Sequence, residues 1–387
     1  MINDPTDVAA DAVAPPPATA PLAPHDDVPA PVERLQFTGK AGEYFGIWIV
    51  NLFLTIVTLG IYSAWAKVRK KRYFYGNTWI AGANFEYHGN PIAILKGRIL
   101  AFGAFAAYTL GAQFSPRIAG LVALAFMPVL PWLLVRSFAF NAVNSSYRNL
   151  RFHFDGRYRE ALQAIAPFIL LPIIGLLVPE PEMPPENTSS WWPYFLAPLA
   201  LGLFYPYVMG SLKRLHINRS RYGEAHFDCE ASIGDFYRVY FLAFLVMLGL
   251  GAIVSFAAMP LIFTLPEWGW SAYPVLYLLS GAILFGFTQA RLANLALGKT
   301  MLQGGVRVSS TISARRLVIL YIQNLFAISA TLGLAIPWAA VRTTRYRMEC
   351  LGLDCDGRLD AFMGQAARSV GATGEAMGEM FDVDLSL

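Results

Sequence analysis

The sequence predicts an all-α integral membrane protein: a polytopic helical bundle with internal repeats, six to eight membrane segments and small cytoplasmic β-hairpins. Three observations carry this prediction. First, 56% of the 387 residues are hydrophobic and only 14% are charged, with a mean hydropathy of +0.44. A soluble domain carries about a quarter charged residues, so this chain cannot coat its helices for water. Second, eight apolar stretches approach the about 20 residues that cross a hydrocarbon core of about 30 Å. Third, basic residues gather in the loops after alternate stretches.

The elements follow in chain order. Residues 1–33 are rich in Pro, Ala and Asp, with Pro15, Pro16 and Pro17 in a row. They lack a basic start and an apolar core, so they read as a disordered tail and not as a secretory signal. A membrane domain over 34–350 follows. Its apolar stretches run roughly over 44–66, 93–114, 118–140, 161–178, 192–211, 236–264, 271–290 and 317–340. Trp191, Trp192, Trp268 and Trp270 stand at stretch edges, where interfacial aromatics sit. Residues 351–387 turn acidic and Gly-rich and read as a flexible tail.

The loops after the first and third stretches hold Lys67, Arg69, Lys70, Lys71 and Arg72, then Arg136, Arg148, Arg151, Arg157 and Arg159. Those after the fifth and seventh hold Lys213, Arg214, Arg219 and Arg221, then Arg291, Lys299, Arg307, Arg315 and Arg316. The alternate loops are short or acidic, with Glu180, Glu182 and Glu186 in one and Glu267 in another. Lys and Arg stay inside, so the basic loops are expected on the cytoplasmic face. The net charge of +4 comes from these loops. The composition excludes an ordinary cytosolic enzyme and a nucleic-acid binder.

The chain repeats itself. A shift of 273 positions lays Asn51-Leu52-Phe53 on Asn324-Leu325-Phe326 and Thr58-Leu59-Gly60 on Thr331-Leu332-Gly333. It also lays Trp65, Val68, Arg69, Arg72 and Tyr73 on Trp338, Val341, Arg342, Arg345 and Tyr346. A shift of 67 lays Trp65, Arg69, Asn77, Phe85 and Gly89 on Trp132, Arg136, Asn144, Phe152 and Gly156. Weaker copies carry Asn218 and Phe227, then Arg291, Thr300 and Val308. Each basic loop continues into alternation such as Thr78-Trp79-Ile80 and Phe85-Glu86-Tyr87 around a Gly-containing break. That pattern reads as a β-hairpin.

Two readings of the first and last stretches stay open. As plain spans, they bring the total to eight. As re-entrant helical hairpins broken at the two Thr-Leu-Gly sequences, they leave six spans. Glycine allows such a break, and Pro337 stiffens the second copy.

At these residues the chain resembles the DUF898 family. The run Phe37-Thr38-Gly39, Thr58-Leu59-Gly60-Ile61-Tyr62-Ser63-Ala64-Trp65-Ala66, Arg69, Asn77-Thr78 and Phe85 carries the resemblance, which covers about residues 34–385. One departure is Ser63-Ala64, where the family often has a proline before the tryptophan; Pro131 and Pro337 keep it in the other copies. The resemblance implies a multi-pass protein of the bacterial cytoplasmic membrane. It implies no activity or catalytic residue.

Candidate chemistry is sparse. No His-Glu-x-x-His, phosphate-cradling Gly loop or Gly-x-Ser-x-Gly is present, and no enzyme, cofactor or metal site is expected. His88, His153, His216 and His226 show no ligand spacing. Cys229, Cys350 and Cys355 are too few and unevenly spaced for a disulfide framework. The sharpest candidate for an intramembrane polar site is the duplicated set Asn51, Thr58, Gly60, Asn324, Thr331 and Gly333. In a transporter of a small solute or lipid, paired broken helices would line a central site. In a scaffold or envelope-maintenance protein, the same amides bond neighbouring helices. Trp65, Arg69, Arg72, Trp132, Arg136, Trp338, Arg342 and Arg345 are expected at the bilayer interface, against anionic lipid headgroups or as generic anchors. The lipid bilayer is the one partner the sequence implies.

Overall fold

A computed structural model of the chain describes residues 32–177, 192–264, 266–303 and 305–355. The predicted tails over 1–31 and 356–387, the acidic loop with Glu180, Glu182 and Glu186, and Trp191 lie outside the described residues.

The predicted hairpins are not separate. Eleven strands are described, and they form one antiparallel sheet: β1 (Glu33–Arg34), β2 (Gln36–Phe37), β3 (Thr78–Ile80), β4 (Ala83–Tyr87), β5 (Ser145–Tyr147), β6 (Leu150–Phe154), β7 (Ser220–Tyr222), β8 (Ala225–Cys229), β9 (Thr300–Leu302), β10 (Val306–Ser310) and β11 (Leu351–Asp354). The order across the sheet is β1-β11-β10-β9-β8-β7-β6-β5-β4-β3-β2. The two edges, β1 and β2, are one extended segment with Leu35 between them. Its Leu35 N–H donates to the Leu351 carbonyl at 3.0 Å on one side, and its Thr38 N–H donates to the Asn77 carbonyl at 3.0 Å on the other. The sheet therefore closes on itself as a ring, and closure removes the exposed edges that invite aggregation. The ring takes in Glu33 and Leu351–Asp354, beyond the boundaries the composition suggests.

Helices join neighbouring strands, so the described chain is five strand–helices–strand units. The first holds α1 (Ala41–Val57) and α2 (Ser63–Gly76); the second α3 (Pro91–Phe114), α4 (Pro116–Phe126) and α5 (Val129–Val143). The third holds α6 (Tyr158–Leu177) and α7 (Trp192–Asn218), the fourth α8 (Ile233–Thr264) and α9 (Pro266–Gly298), and the fifth α10 (Ala314–Ala330) and α11 (Ile336–Glu349). The register is the same in every unit. Phe37 pairs with Thr78, Tyr87 with Ser145, Phe154 with Ser220, Cys229 with Thr300 and Ser310 with Leu351.

Local chemistry explains the repeated motif. A helix end leaves its last carbonyls without partners. In four units the first strand residue supplies one: Thr78, Ser145, Ser220 and Thr300 donate from their hydroxyls to the carbonyls of Phe74, Asn141, His216 and Ala296 at 2.5–2.8 Å. The Asn before the strand adds a second bond, from Asn77 to the Tyr73 carbonyl and from Asn144 to the Phe140 carbonyl. The aromatic-x-Gly ends of β2, β4 and β6 have a packing cause. The rings of Phe37, Tyr87 and Phe154 lie across Gly39, Gly89 and Gly156, where a Cβ would come within 2.6, 2.5 and 2.3 Å. In the fourth unit the smaller Cys229 is matched by Ala231, a compensating pair of changes.

Inward side chains fill the ring. Ile80, Tyr147, Leu150 and Tyr222 form a buried cluster, joined by Leu35, Phe85, Phe152, Phe227 and Leu353. Leu302, Val306 and Cys355 continue it around the remaining arc. Tyr147 donates its hydroxyl to the Ile80 carbonyl at 2.8 Å, and Tyr222 donates to the Tyr147 carbonyl at 3.0 Å, so the buried phenols are satisfied. The ring is a plugged core.

This architecture corrects the predicted class. The fold is not all-α, because the alternating loops assemble into a single sheet. Six to eight membrane segments are not found either. Among the described residues, three helices are long and apolar enough to cross a membrane: Pro91–Phe114, Ile233–Ala257 and Tyr273–Gly298. The bent pair Arg117–Phe126 and Val129–Val143, angled at 42°, makes a fourth if counted as one span. The physical reasons are local. The third apolar stretch breaks at Met127-Pro128. Pro198 and Pro206 interrupt the apolar half of α7. The first and last stretches turn back on themselves. Their helices hold 17 and 14 residues in each copy, about 25 and 21 Å at 1.5 Å per residue, and both ends of each hairpin join the ring.

Candidate functional site

The two Thr-Leu-Gly sequences form the tips of those end hairpins, and they match bond for bond. Thr58 and Thr331 each donate to the carbonyl four residues back at 2.7 Å. Each hydroxyl accepts, at 2.9 Å, the N–H four residues on, from Tyr62 and from Ala335. Leu59 and Leu332 both sit at φ 50°, followed by Gly60 at 92° and Gly333 at 96°. Left-handed backbone costs a non-glycine residue about 1–2 kcal/mol, so the turn is held by the threonine and by the glycine beside it. The tip leucines are 94% and 95% exposed. Thr58, Gly60, Thr331 and Gly333 thus shape two protruding tips and do not line the cavity described below.

Lower in the same hairpins, Asn51 and Asn324 are 7% and 5% exposed, and each has a buried Oδ1 with no hydrogen-bond partner. Their surroundings differ. Asn324 donates from Nδ2 to Thr343 Oγ1 at 2.9 Å, whereas the residue equivalent to Thr343 in the first copy is Lys70. Asn324 also lines an open groove of about 910 Å³ between α9, α10, α11 and α2; Asn51 does not. Leu278, Phe285, Leu325 and Ile336 give the groove apolar walls, and Lys70, Asn324, Thr343 and Thr344 give it polar groups. Gly281 lies in its wall, and a Cβ placed there would meet nothing within 4 Å. Of the duplicated asparagines, the structure places Asn324 at this groove and not Asn51.

The last helices of the first, third and fifth units, α2, α7 and α11, carry Lys70 and Lys71, Lys213 and Arg214, and Arg347. Lys71 and Lys213 each precede their strand by seven residues, and Arg347 precedes β11 by four. Residues three apart share a helix face. Burial, followed by the nearby Lys67 charge, holds the Lys71 ammonium below the usual lysine range. Burial, followed by the Arg347 charge, does the same for Lys213. No acidic side chain pairs with Lys70, Lys71, Lys213, Arg214 or Arg347 among the described residues; the ion pairs belong to Lys40, Arg219, Arg221 and Lys299, with His88 near Glu86. The sequence predicts Lys70, Lys71, Lys213 and Arg214 in basic loops, whereas the structure puts them in α2 and α7.

The predicted interfacial residues divide. Arg136 lies over the Trp132 ring at 5.8 Å and Arg342 over the Trp338 ring at 5.0 Å, while Arg69 reaches the Tyr62 hydroxyl at 3.5 Å. Trp132 and Trp338 are exposed and Trp65 is half-buried. Arg72 is exposed on α2. Arg345 has a structural task, donating to the Gly39 carbonyl at 2.9 Å and tying the fifth unit to the first. The Tyr73 and Tyr346 hydroxyls complete the repeat, each accepting from the backbone N–H and donating to the carbonyl of Lys40 and of Ser313.

The chain is 25% identical over 341 residues to the inner membrane protein YjgN of Salmonella typhimurium strain LT2, covering 79% of this chain and 85% of that protein. The inner membrane protein YjgN of Escherichia coli O157:H7 is 30% identical over 133 residues, 34% of this chain and 33% of that protein. No solved structure matches significantly. Large side chains such as Phe53, Phe102, Phe114, Phe256 and Phe263 stand exposed on the helices, as lipid contact requires. The model for the bacterial protein of unknown function DUF898 matches residues 32–380, and this chain, a membrane protein, belongs to that family.

Proposed function

We propose that this protein binds an amphiphile of the bacterial inner membrane in the groove beside Asn324, admits it sideways from the bilayer, and holds or relays it without conducting solute along its axis. The observation that carries the reading is the groove itself: about 910 Å³ with mostly apolar walls, and with Lys70, Asn324, Thr343 and Thr344 as its polar groups. The plugged ring argues against a through-channel. The basic residues clustered at the ring end of the helices support a ring on the cytoplasmic face, by the positive-inside rule, with several helices crossing the bilayer. The apolar tips at Leu59 and Leu332 would then point into hydrocarbon.

Gly281→Leu tests the reading, because its side chain would grow into open groove. Protein extracted in mild detergent from membranes is washed and examined by native mass spectrometry. The wild type is expected to retain bound lipid, and the variant to lose it while its melting temperature stays unchanged. Equal retention by the two proteins would end the proposal.

A further inference from the structure

We propose that the amphiphile in the groove is anionic, and that its headgroup phosphate lies in the small cavity lined by Lys67, Lys70 and Lys71 of α2. The inference rests on the groove reading above and adds to it the charge and the position of the headgroup.

The three lysines share one volume. Lys67, Lys70, Lys71, Phe74 and Tyr75 line a cavity of about 280 Å³. Lys70 and Phe74 also line the large groove, so the two spaces adjoin along that pair. Residues three and four apart on a helix are neighbours, which stacks Lys67 with Lys70 and Lys71 on one face. Among the described residues no carboxylate forms an ion pair with any of the three. Lys71 is held in place: it donates to the Asn141 Oδ1, and its ammonium stands 4.6 Å from the Tyr87 ring centre. Lys67 and Lys70 are exposed beside it. Like charges this close repel one another, and a phosphate that accepts from several ammonium groups turns the repulsion into attraction.

The repeat shows that Lys70 is not there to hold its hairpin together. Its counterpart Thr343 accepts from Asn324 at 2.9 Å and ties the two helices of the last hairpin. Lys70 makes no such bond with Asn51 and borders the groove instead. The groove is also graded along its length. Asn324, Thr343 and Thr344 lie toward the ring, whereas Ile328 and Ile336 lie toward the Thr331-Leu332-Gly333 tip. Lys70 and Lys71 stand about two turns before β3, at the ring side as well. An amphiphile with its chains toward the tip would therefore present its polar end to the lysines, on the face where anionic headgroups meet basic residues.

The test titrates the full chain in detergent by calorimetry. The probes are phosphatidylglycerol or diacylglycerol with the same chains in mixed micelles and, separately, inorganic phosphate. Phosphatidylglycerol is expected to bind at least about tenfold tighter than diacylglycerol, the size of one charge-assisted hydrogen bond, with inorganic phosphate competing. Lys67→Gln/Lys70→Gln is expected to abolish that preference while diacylglycerol binding and the melting temperature stay unchanged. Arg151→Gln/Arg307→Gln removes the same charge from β6 and β10, where both arginines are exposed, and is expected to keep the preference. Equal binding of the two lipids, a preference that the lysine variant retains, or one that the arginine variant also loses would overturn the inference. Lysine-dependent binding of phosphate without phosphatidylglycerol binding would overturn the headgroup assignment. In Gly281→Leu, loss of both lipids with phosphate binding retained supports the groove and the lysine site together. Unchanged lipid binding in that variant, with a preference that still needs Lys67 and Lys70, removes the groove reading alone.

Discussion

Tyr147→Ala is expected to destabilise the protein by about 4 kcal/mol, the cost of removing a large buried aromatic and leaving its cavity. Tyr147 is 2% exposed and sits inside the ring, with the Phe85 ring centre 4.9 Å away. It also joins three units. Its hydroxyl bonds the Ile80 carbonyl of the first, and its own carbonyl accepts from Tyr222 of the third. Tyr147→Phe should cost only about 1 kcal/mol, since it deletes one hydrogen bond and keeps the volume. Thermal unfolding in detergent measures both. Equal, small losses would mean that the plug does not hold the ring.

Gly156→Ala carries the second large effect, about 3 kcal/mol, because a Cβ there would stand 2.3 Å from the Phe154 ring and something must move. The fourth unit shows how the chain avoids this clash, with Cys229 beside Ala231. Combining Phe154→Cys with Gly156→Ala imports that solution into the third unit. The double variant is expected to lose less than the sum of the single changes, by about 1 kcal/mol or more, as contacting residues do. Additive losses in a double-mutant cycle would show that the aromatic–glycine contact is not the reason for the motif.

The sequence exposed the repeat more readily than the fold. The shift of 273 positions predicted that Thr58-Leu59-Gly60 and Thr331-Leu332-Gly333 do the same work, and their hydrogen bonds coincide. Local alternation located hairpins such as β3–β4. What it could not encode was how one hairpin meets the next, because pairings such as Glu86 with Ser146 join strands of three to five residues across an intervening helical unit. Ring closure was hidden for the same reason: Glu33–Phe37 is too short to announce that it pairs on both sides. Hydropathy misled at the ends of the chain, where a stretch long enough for one span is in fact two short helices around a capped turn. At the candidate site, Asn324 was visible as a duplicated buried amide. The groove around it was not, because its walls come from α2, α9, α10 and α11, which lie far apart along the chain.

Closure of the ring is the claim on which the five equivalent units and the plug depend. With the three native cysteines replaced by alanine, a variant carrying Glu33→Cys with Leu353→Cys and Gln36→Cys with Trp79→Cys tests it in one molecule. Both pairs are direct antiparallel partners, a separation that a disulfide can span. Mild oxidation followed by mass mapping is predicted to find both disulfides, 33–353 and 36–79, within the same chain. Recovery of only one of the two in any single chain would contradict the ring.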